Sequence, residues 1–219
     1  LLDAFKIPES SLPTITPSWG MLAKTNAKSF LNLELPITGI AGDQQAALFG
    51  QNAFIKGESK ATYGTGAFIL TNTGNEIVES THGLLATVAW QSEDGAITYA
   101  SEGSVFVAGA AVQWLRDGLK IIERSADVER LANQVSSSDS VVFVPSLTGL
   151  GAPFWDSRIR GSILGLTRGS TNAHIAFAAL EAIAFQVRAV LDAMEKDIGY
   201  EIARLRVDGG AAANNLLMQ

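Results

Sequence analysis

The stretch GIAGDQQAALFG, residues 39–50, places one carboxylate and two amides between glycines, directly ahead of small apolar residues. An Asp at the start of a helix commonly caps it by accepting backbone N–H groups. A carboxylate held at the end of a strand can instead take a proton from a substrate hydroxyl, while Gln44 binds a neighbouring hydroxyl. Taken alone, the stretch leaves both roles open for Asp43.

Three further glycine-bearing turns have the chemistry to meet a nucleotide. YGTG at residues 63–66 permits a tight hairpin tip, and it also lets a polyphosphate approach the backbone amides. AGAAVQ at residues 108–113 suits close helix packing or a nucleotide lying across the helix. DGGAAANN at residues 208–215 can present free N–H groups to a phosphate, although it does not fit the dinucleotide pattern G-x-G-x-x-G.

Strands and helices must position these turns. SKATYGTGAFILTNTG predicts a hairpin, GLLATVAWQ and AITYASEGS predict further strands, and RLRVDGG predicts a strand that ends in a turn. Helical spacing occurs in FVAGAAVQWLRDGLK, in SADVERLANQVSS with Ser125 as its N-cap, and in a long segment capped near Thr171. Strands mixed with helices predict an α/β fold with a mixed sheet flanked by helices.

Composition narrows the classes of partner. The net charge is -6 and no basic block is present, so we expect neither nucleic acid nor a membrane surface as a partner. The chain has no cysteine, and its two histidines lie far apart in the sequence, so we expect no protein-built metal site. We also expect no apolar segment long enough to span a bilayer, which favours a cytoplasmic location.

Six stretches, in this order, resemble motifs of the glycerol kinases of the FGGY carbohydrate kinase family: GIAGDQQAALFGQ, ATYGTGAFILTNTG, AGAAVQWLRD, TGLGAPFWD, GLTRG and RVDGGAAANN. The resemblance implies the actin-like ATPase (ribonuclease H-like) fold, in which two α/β lobes close over a cleft for ATP and a polyol. It makes residues 1–38 an entry segment from the first lobe. Residues 39–219 then form the C-terminal lobe, which we expect to be truncated at its C-terminal end.

The same resemblance implies roles for individual residues. Asp43 corresponds to the general base and contacts the polyol, Gln44 holds a glycerol hydroxyl, and Phe68 lines the carbon side of the polyol. The residues implied to contact ATP are Thr65, Gly66 and Gly109 at the phosphates, Gln113 at the nucleotide, Gly210 near the phosphate and ribose, and Asn214 at the adenine.

The reaction implied by the resemblance is the phosphorylation of glycerol to sn-glycerol 3-phosphate, with ATP and Mg²⁺, in a protein that forms homo-oligomers when complete. Since half of the phosphate and polyol contacts belong to the first lobe, the chain alone should lack turnover. One alternative is a pentulose or gluconate kinase of the same family. Another is an actin-like protein that binds ATP without phosphorylating a metabolite, which leaves Gln44 and Phe68 without a role.

Overall fold

A five-stranded mixed sheet organises the chain in the computed structural model, which describes residues 1–219. The strands are Trp19–Lys24 (β1), Pro36–Gly39 (β2), Ser59–Tyr63 (β3), Ala67–Gly74 (β4), Leu85–Gln91 (β5), Ile97–Val105 (β6), Val142–Val144 (β7), Ser162–Leu164 (β8) and Leu205–Asp208 (β9). The α-helices are Leu2–Phe5 (α1), Asp43–Gly50 (α2), Gly109–Asp117 (α3), Asp127–Ala132 (α4), Asn172–Ile198 (α5) and Asn215–Met218 (α6).

The order of strands in the main sheet is β5-β6-β4-β3-β9. Strand β3 pairs antiparallel with β4 and parallel with β9, and the remaining pairs are antiparallel. The predicted hairpin is therefore confirmed, with its tip at residues 64–66. The parallel pair brings the ends of β3 and β9 to one edge of the sheet, where the hairpin tip and the diglycine turn follow them.

The two faces of the sheet bury different sets of residues, because successive side chains of a strand point to opposite sides. Ala61, Tyr63 and Ile69 belong to a core of 28 buried residues that α3, α4 and α5 complete. On the other face, Leu70 belongs to a smaller core of 6 buried residues, which includes Leu48 of α2. Helix α2 thus covers one side of the sheet and α5 the other.

Helix α5 begins as the sequence predicted and is the main support of the larger core. Thr171 and His174 form a capping box at its N-terminus, and Gly199 ends it in the left-handed conformation with a φ of 81°. We expected no apolar segment long enough to cross a bilayer, and this expectation is wrong. Helix α5 is long enough and apolar enough to do so, judged by length and composition alone. One face of the helix is buried against the sheet and against α3, α4 and α6, whereas Phe185 on another face is 68% exposed.

The start of helix α4 differs from the prediction. Ala126 is its N-cap, and Ser125 makes no capping hydrogen bond. Instead, the Ser125 hydroxyl accepts a hydrogen bond from Arg116 Nη1 at 3.2 Å, while the Asp127 carboxylate accepts one from the backbone N–H of Arg124 at 2.9 Å. The Asp127 carboxylate therefore holds the loop that leads into the helix, and no side chain caps the first turn.

The first part of the chain lies beside the edge of the main sheet. Strands β1 and β2 form a separate antiparallel pair, and the Ser18 backbone N–H donates to Gln91 O of edge strand β5 at 2.8 Å. Strand β2 runs across the expected boundary after residue 38. The division of the chain into an entry segment and a lobe stays a prediction.

Close contact between β6 and α5 leads to a test of the larger core. A Cβ added at Gly103 would lie 2.4 Å from Val190 Cγ1 of α5. We expect Gly103→Ala to lower the free energy of unfolding by about 1–3 kcal/mol, as overpacking in a core does. Urea denaturation would measure this change.

The matched control is Gly50→Ala at the end of α2, where an added Cβ meets nothing within 4 Å. This variant should be neutral or slightly stabilising, because alanine favours the helix over glycine. Equal stability of the two variants would contradict the packing of α5 on β6 described here.

Candidate functional site

Asp43 lies at the start of α2 with its carboxylate exposed. Gly42 is the N-cap residue, and no side chain caps the helix. The Asp43 carboxylate instead accepts hydrogen bonds from the Gln44 backbone N–H at 2.9 Å and from Gln44 Nε2 at 3.3 Å. Asp43 is therefore not the N-cap residue, but its carboxylate accepts one backbone N–H of the first turn and stays exposed to solvent.

A buried lysine that the sequence analysis missed joins the residues predicted to bind the polyol. Lys60 of β3 is 0% exposed, and its Nζ donates to Gln44 Oε1, to Phe68 O at 3.3 Å and to Thr62 Oγ1 at 3.0 Å. Asp43 contacts Gln44 in turn. Asp43, Gln44 and Phe68 therefore lie around a single ammonium group.

Carboxylates from three elements face this lysine. Burial lowers the pKa of Lys60 to about 8, and the negative charges of Asp208, Glu102 and Asp43 oppose that shift. Burial likewise raises the pKa of Glu102, although the Lys60 charge opposes the rise. The α2 face of the sheet thus holds a group of charges in which a single buried cation is set among acidic side chains.

Helix α2 is tied to the sheet at both of its ends. At the first turn, Lys60 holds the Gln44 side chain. Just beyond the last turn, Gln51 Nε2 donates to Asp208 Oδ2 of β9 at 2.8 Å. Between these ties, Leu48 is fully buried in the smaller core. The position of Asp43 is therefore fixed relative to both β3 and β9.

A cavity of about 460 Å³ opens on the α5 side of the sheet, at the ends of β3 and β9. This volume falls within the usual range of small-molecule sites. Five of the six residues predicted to bind ATP line it, namely Thr65, Gly109, Gln113, Gly210 and Asn214. Gly66 is buried beside it and does not line it. The structure thus brings together residues that are more than a hundred positions apart in the chain.

The hairpin tip docks on the N-terminus of α3. The backbone N–H groups of Ala108 and Ala110 donate to Thr65 O, and that of Gly109 donates to Gly64 O. A Cβ at Gly109 would lie 2.5 Å from Gly64 O, so this close approach is why glycine is needed there. The N–H groups of Thr65 and Gly66 make no hydrogen bond within the protein, and Thr65 is the one of the two that lines the cavity.

The diglycine turn closes the other side of the cavity. Gly209 has a φ of 89°, and a Cβ there would lie 2.3 Å from Tyr63 O, so both its conformation and its packing require glycine. Gly210 has open space around it. Asn214 caps α6 with its Oδ1, which accepts from the Leu217 N–H at 2.9 Å, and this leaves its amide NH₂ group for a ligand.

Several residues around the two halves of the site were missed. Ser125 and Glu129 of the α4 region line the cavity, and Val112, Leu180 and Leu217 supply apolar walls. Val112 lies within the AGAAVQ stretch, and the other four residues belong to no motif, since only the packing of α4, α5 and α6 brings them to the cavity. No local signal pointed to Lys60, since its strand, SKATY, also contains serine, threonine and tyrosine.

Magnesium ions in kinases are held by one or two carboxylates together with substrate phosphates. No group of three or more His, Cys, Asp or Glu side chains could hold a metal by itself. Asp208 ends β9 at the edge of the sheet where the cavity lies, and Asp43 faces Lys60 on the α2 side, but neither carboxylate lines the cavity. The side chains present fit a magnesium ion only in the company of a phosphate ligand.

Comparisons with known proteins identify close relatives. The model of the C-terminal domain of the FGGY family of carbohydrate kinases matches residues 59–219. A curated protein called glycerol kinase from Brevibacillus brevis is 57% identical over 219 residues, which are 100% of this chain and 44% of that protein. The crystal structure of Plasmodium falciparum glycerol kinase with ADP has a TM-score of 0.89 and 39% identity, over 100% of this chain and 44% of that chain.

A more distant likeness concerns the fold alone. The crystal structure of gluconate kinase from Lactobacillus acidophilus has a TM-score of 0.81 at 23% identity, over 100% of this chain and 44% of that chain. In each of these comparisons, the chain spans less than half the length of the protein that it matches.

The lowered pKa of Lys60 predicts a pH dependence of stability. An unfolded lysine has a pKa of 10.5 and the folded one about 8, so between these values the unfolded chain binds more protons. The free energy of unfolding should therefore rise with pH across this window. The free energy of unfolding of the unmodified chain should rise with pH more steeply than that of the Lys60→Met variant, by at most about 1.4 kcal/mol per pH unit. Urea denaturation at several pH values would measure it, and parallel profiles would contradict the assignment.

Proposed function

The chain belongs to the FGGY family of carbohydrate kinases, and we propose that it forms the ATP-binding lobe of an enzyme that phosphorylates glycerol to sn-glycerol 3-phosphate. It has the actin-like ATPase (ribonuclease H-like) fold of that family, as the resemblance predicted. The observation that carries the proposal is the juxtaposition along strand β3. An open carboxylate with an amide beside it lies on one face, and a nucleotide-sized cavity lies on the other.

The glycerol substrate is favoured over the alternatives by the similarity of relatives called glycerol kinase along the entire chain. A pentulose or gluconate kinase would share the fold and the cavity. The structural similarity of this chain to such enzymes, at 22–23% sequence identity, concerns the fold alone. An actin-like protein without a metabolite substrate leaves Asp43, Gln44 and Phe68 gathered around Lys60 for no purpose. Neither alternative is favoured by an observation of its own.

In the proposed reaction, Asp43 accepts the proton of a terminal hydroxyl of glycerol as the hydroxyl oxygen attacks the γ-phosphorus of ATP. A new P–O bond forms while the bond from the γ-phosphorus to the bridging oxygen breaks, and ADP leaves with the electron pair. Gln44 holds a neighbouring hydroxyl and Phe68 lines the carbon chain. Because phosphoryl transfer depends mainly on positioning, the rigid anchoring of α2 between β3 and β9 is a main contribution of this chain.

On the nucleotide side, the residues divide according to the groups that they offer. Thr65 has a free N–H at the cavity for a phosphate oxygen, whereas the free N–H of Gly66 belongs to a buried residue outside the lining. Gly210 leaves open space for the phosphate and ribose. Gln113 lies at the wall of the cavity, and the amide NH₂ of Asn214 suits an acceptor nitrogen of adenine. The N–H of Gly109 is already bound to Gly64 O, so we infer that it contributes by lining the cavity and by letting the hairpin tip pack closely on α3. Mg²⁺ bound to the phosphates supplies charge neutralisation.

We propose further that the chain acts only within a complete protein. Residues 1–38 would lead in from a first lobe that supplies the remaining contacts to ATP and glycerol, and residues 39–219 would be the C-terminal lobe. The chain by itself should then lack turnover, since the polyol and the phosphates would be held from one side only. Homo-oligomer formation and a cytoplasmic location stay predictions.

Replacement of Asp43 tests the proposed base. In the complete protein, we expect Asp43→Asn to lower kcat for glycerol phosphorylation by about 10²- to 10⁴-fold, because an amide cannot accept the proton. Affinity for ATP should be unchanged, since Asp43 lies outside the cavity. Coupled-assay kinetics and calorimetric titration with ATP would measure the two effects.

The matched control is Asp139→Asn, at an exposed loop position with a φ of 49° that asparagine also tolerates. It should leave kcat unchanged. An Asp43→Asn enzyme as active as the control would contradict the assigned base. The chain alone, assayed beside the complete protein, should show no turnover, and substantial turnover would contradict the need for a first lobe.

A larger side chain at Gly210 tests the nucleotide cavity. Because an added Cβ meets nothing within 4 Å, Gly210→Leu should fold normally while its side chain occupies the space beside Asn214. We expect ATP affinity of the complete protein to fall at least about tenfold by exclusion of volume from the cavity. Gly50→Leu, also in open space but outside the cavity, is the control. Equal affinities in calorimetry would contradict the placement of ATP.

A further inference from the structure

A fully buried lysine in the middle of a sheet calls for an explanation, because its charge is costly to desolvate. Lys60 has no assigned role in the proposed reaction, yet it contacts two of the three residues that we place at the polyol. We propose that Lys60 is a positioning residue, which fixes the Gln44 side chain so that its NH₂ group, and not its carbonyl, faces the polyol. This inference rests on the proposed function.

The orientation of the Gln44 amide follows from what its neighbours can offer. An ammonium group can only donate hydrogen bonds, and a carboxylate can only accept them. Gln44 lies between Lys60 Nζ and the Asp43 carboxylate. Only one orientation satisfies both neighbours, with Oε1 toward Lys60 and Nε2 toward Asp43. Rotating the amide by 180° would place donor against donor and acceptor against acceptor.

Lys60 itself has no capacity left for a substrate. The ammonium group carries three N–H donors. The structure gives it three acceptors, which are Gln44 Oε1, Thr62 Oγ1 and Phe68 O. Since the side chain is also fully buried, Lys60 acts through Gln44 and Phe68 and does not touch the polyol.

The charges around Lys60 favour its staying protonated at neutral pH. Asp43 of α2, Glu102 of β6 and Asp208 of β9 face it with carboxylates. The register partner of Lys60 on β9 is Arg206, and its guanidinium donates to Glu58 Oε1 at 2.7 Å. The ammonium is therefore surrounded by acceptors and anions, which offset part of the cost of burying it.

A fixed amide beside an open carboxylate makes a directional pair. Asp43 accepts a hydrogen bond from the hydroxyl that loses its proton, and the remaining N–H of Gln44 donates to the oxygen of an adjacent hydroxyl. The pair matches two neighbouring hydroxyls on a carbon chain. Without Lys60, only the hydrogen bond of 3.3 Å to Asp43 holds the Gln44 amide in this orientation, and the preference for the second hydroxyl should decline.

The test compares glycerol with propane-1,3-diol, which lacks the middle hydroxyl. In the complete protein, Lys60→Met should lower the ratio of kcat/KM for glycerol to that for propane-1,3-diol about tenfold, the size of one hydrogen bond. A purely structural role would lower both values equally and leave the ratio unchanged, and that result would overturn the proposal. Lys56→Met, which removes an exposed lysine paired with Glu76, is the control and should change neither value.

A double-mutant cycle tests whether Lys60 acts through Gln44. If it does, Lys60→Met should have little further effect on this ratio in a Gln44→Ala background, since the group to be positioned is gone. Additive effects of the two substitutions would overturn the proposal.

An NMR titration of the unmodified chain tests the contact between Lys60 and Gln44 directly. It requires neither enzyme activity nor a variant that folds. The NMR signals of the Gln44 side-chain NH₂ should shift as Lys60 loses its proton near pH 8, well above the range in which ordinary carboxylates titrate. Signals that stay constant from pH 7 to about pH 9.5 would overturn the contact. A complete protein that does not phosphorylate glycerol would refute the proposed function, and the NMR titration would still decide whether Lys60 holds Gln44.

Discussion

The alternation of side chains along strand β3 is the constraint on which both halves of the site depend. Lys60 points to the face covered by α2, where it gathers Gln44 and the Phe68 carbonyl. Tyr63 points to the opposite face, which α5 covers, and lines the cavity. Because the period of a strand is two residues, a slip of one position would exchange these faces and separate every group in the site. Pairing with both β4 and β9 holds the register in place.

The two faces are stabilised in different ways. The α5 face is covered by a large apolar core, in which α5 packs on β4 and β6. The α2 face has only a small apolar core, and two hydrogen bonds tie the helix to the strands beneath it, one that Gln44 accepts from Lys60 and one that Gln51 donates to Asp208. Polar ties of this kind are directional, so they fix the first turn of α2 more closely than apolar packing alone would. The residue whose geometry matters most for the proposed reaction lies in that turn.

Local patterns in the sequence were sufficient for the hairpin, the long helix and its cap, and the glycine turns, since each of these is decided by neighbours in the chain. Lys60 could not be recognised in this way. A lysine within a strand pattern indicates an exposed face, and its burial follows only when α2 folds over the sheet. Ser125 was misjudged for a related reason. Its hydroxyl binds Arg116 of the preceding helix, and a tertiary contact of this kind outweighs local capping preference.

The docking of the hairpin tip on α3 sets the electrostatic character of the cavity. The carbonyls of Gly64 and Thr65 already occupy the first N–H groups of α3, and they neutralise the positive end of its dipole. Helix α3 therefore gives the cavity shape without contributing a long-range field. An anion entering here meets individual amides, whose attraction depends on distance and angle. The cavity should therefore select among anions by their shape more than by their total charge.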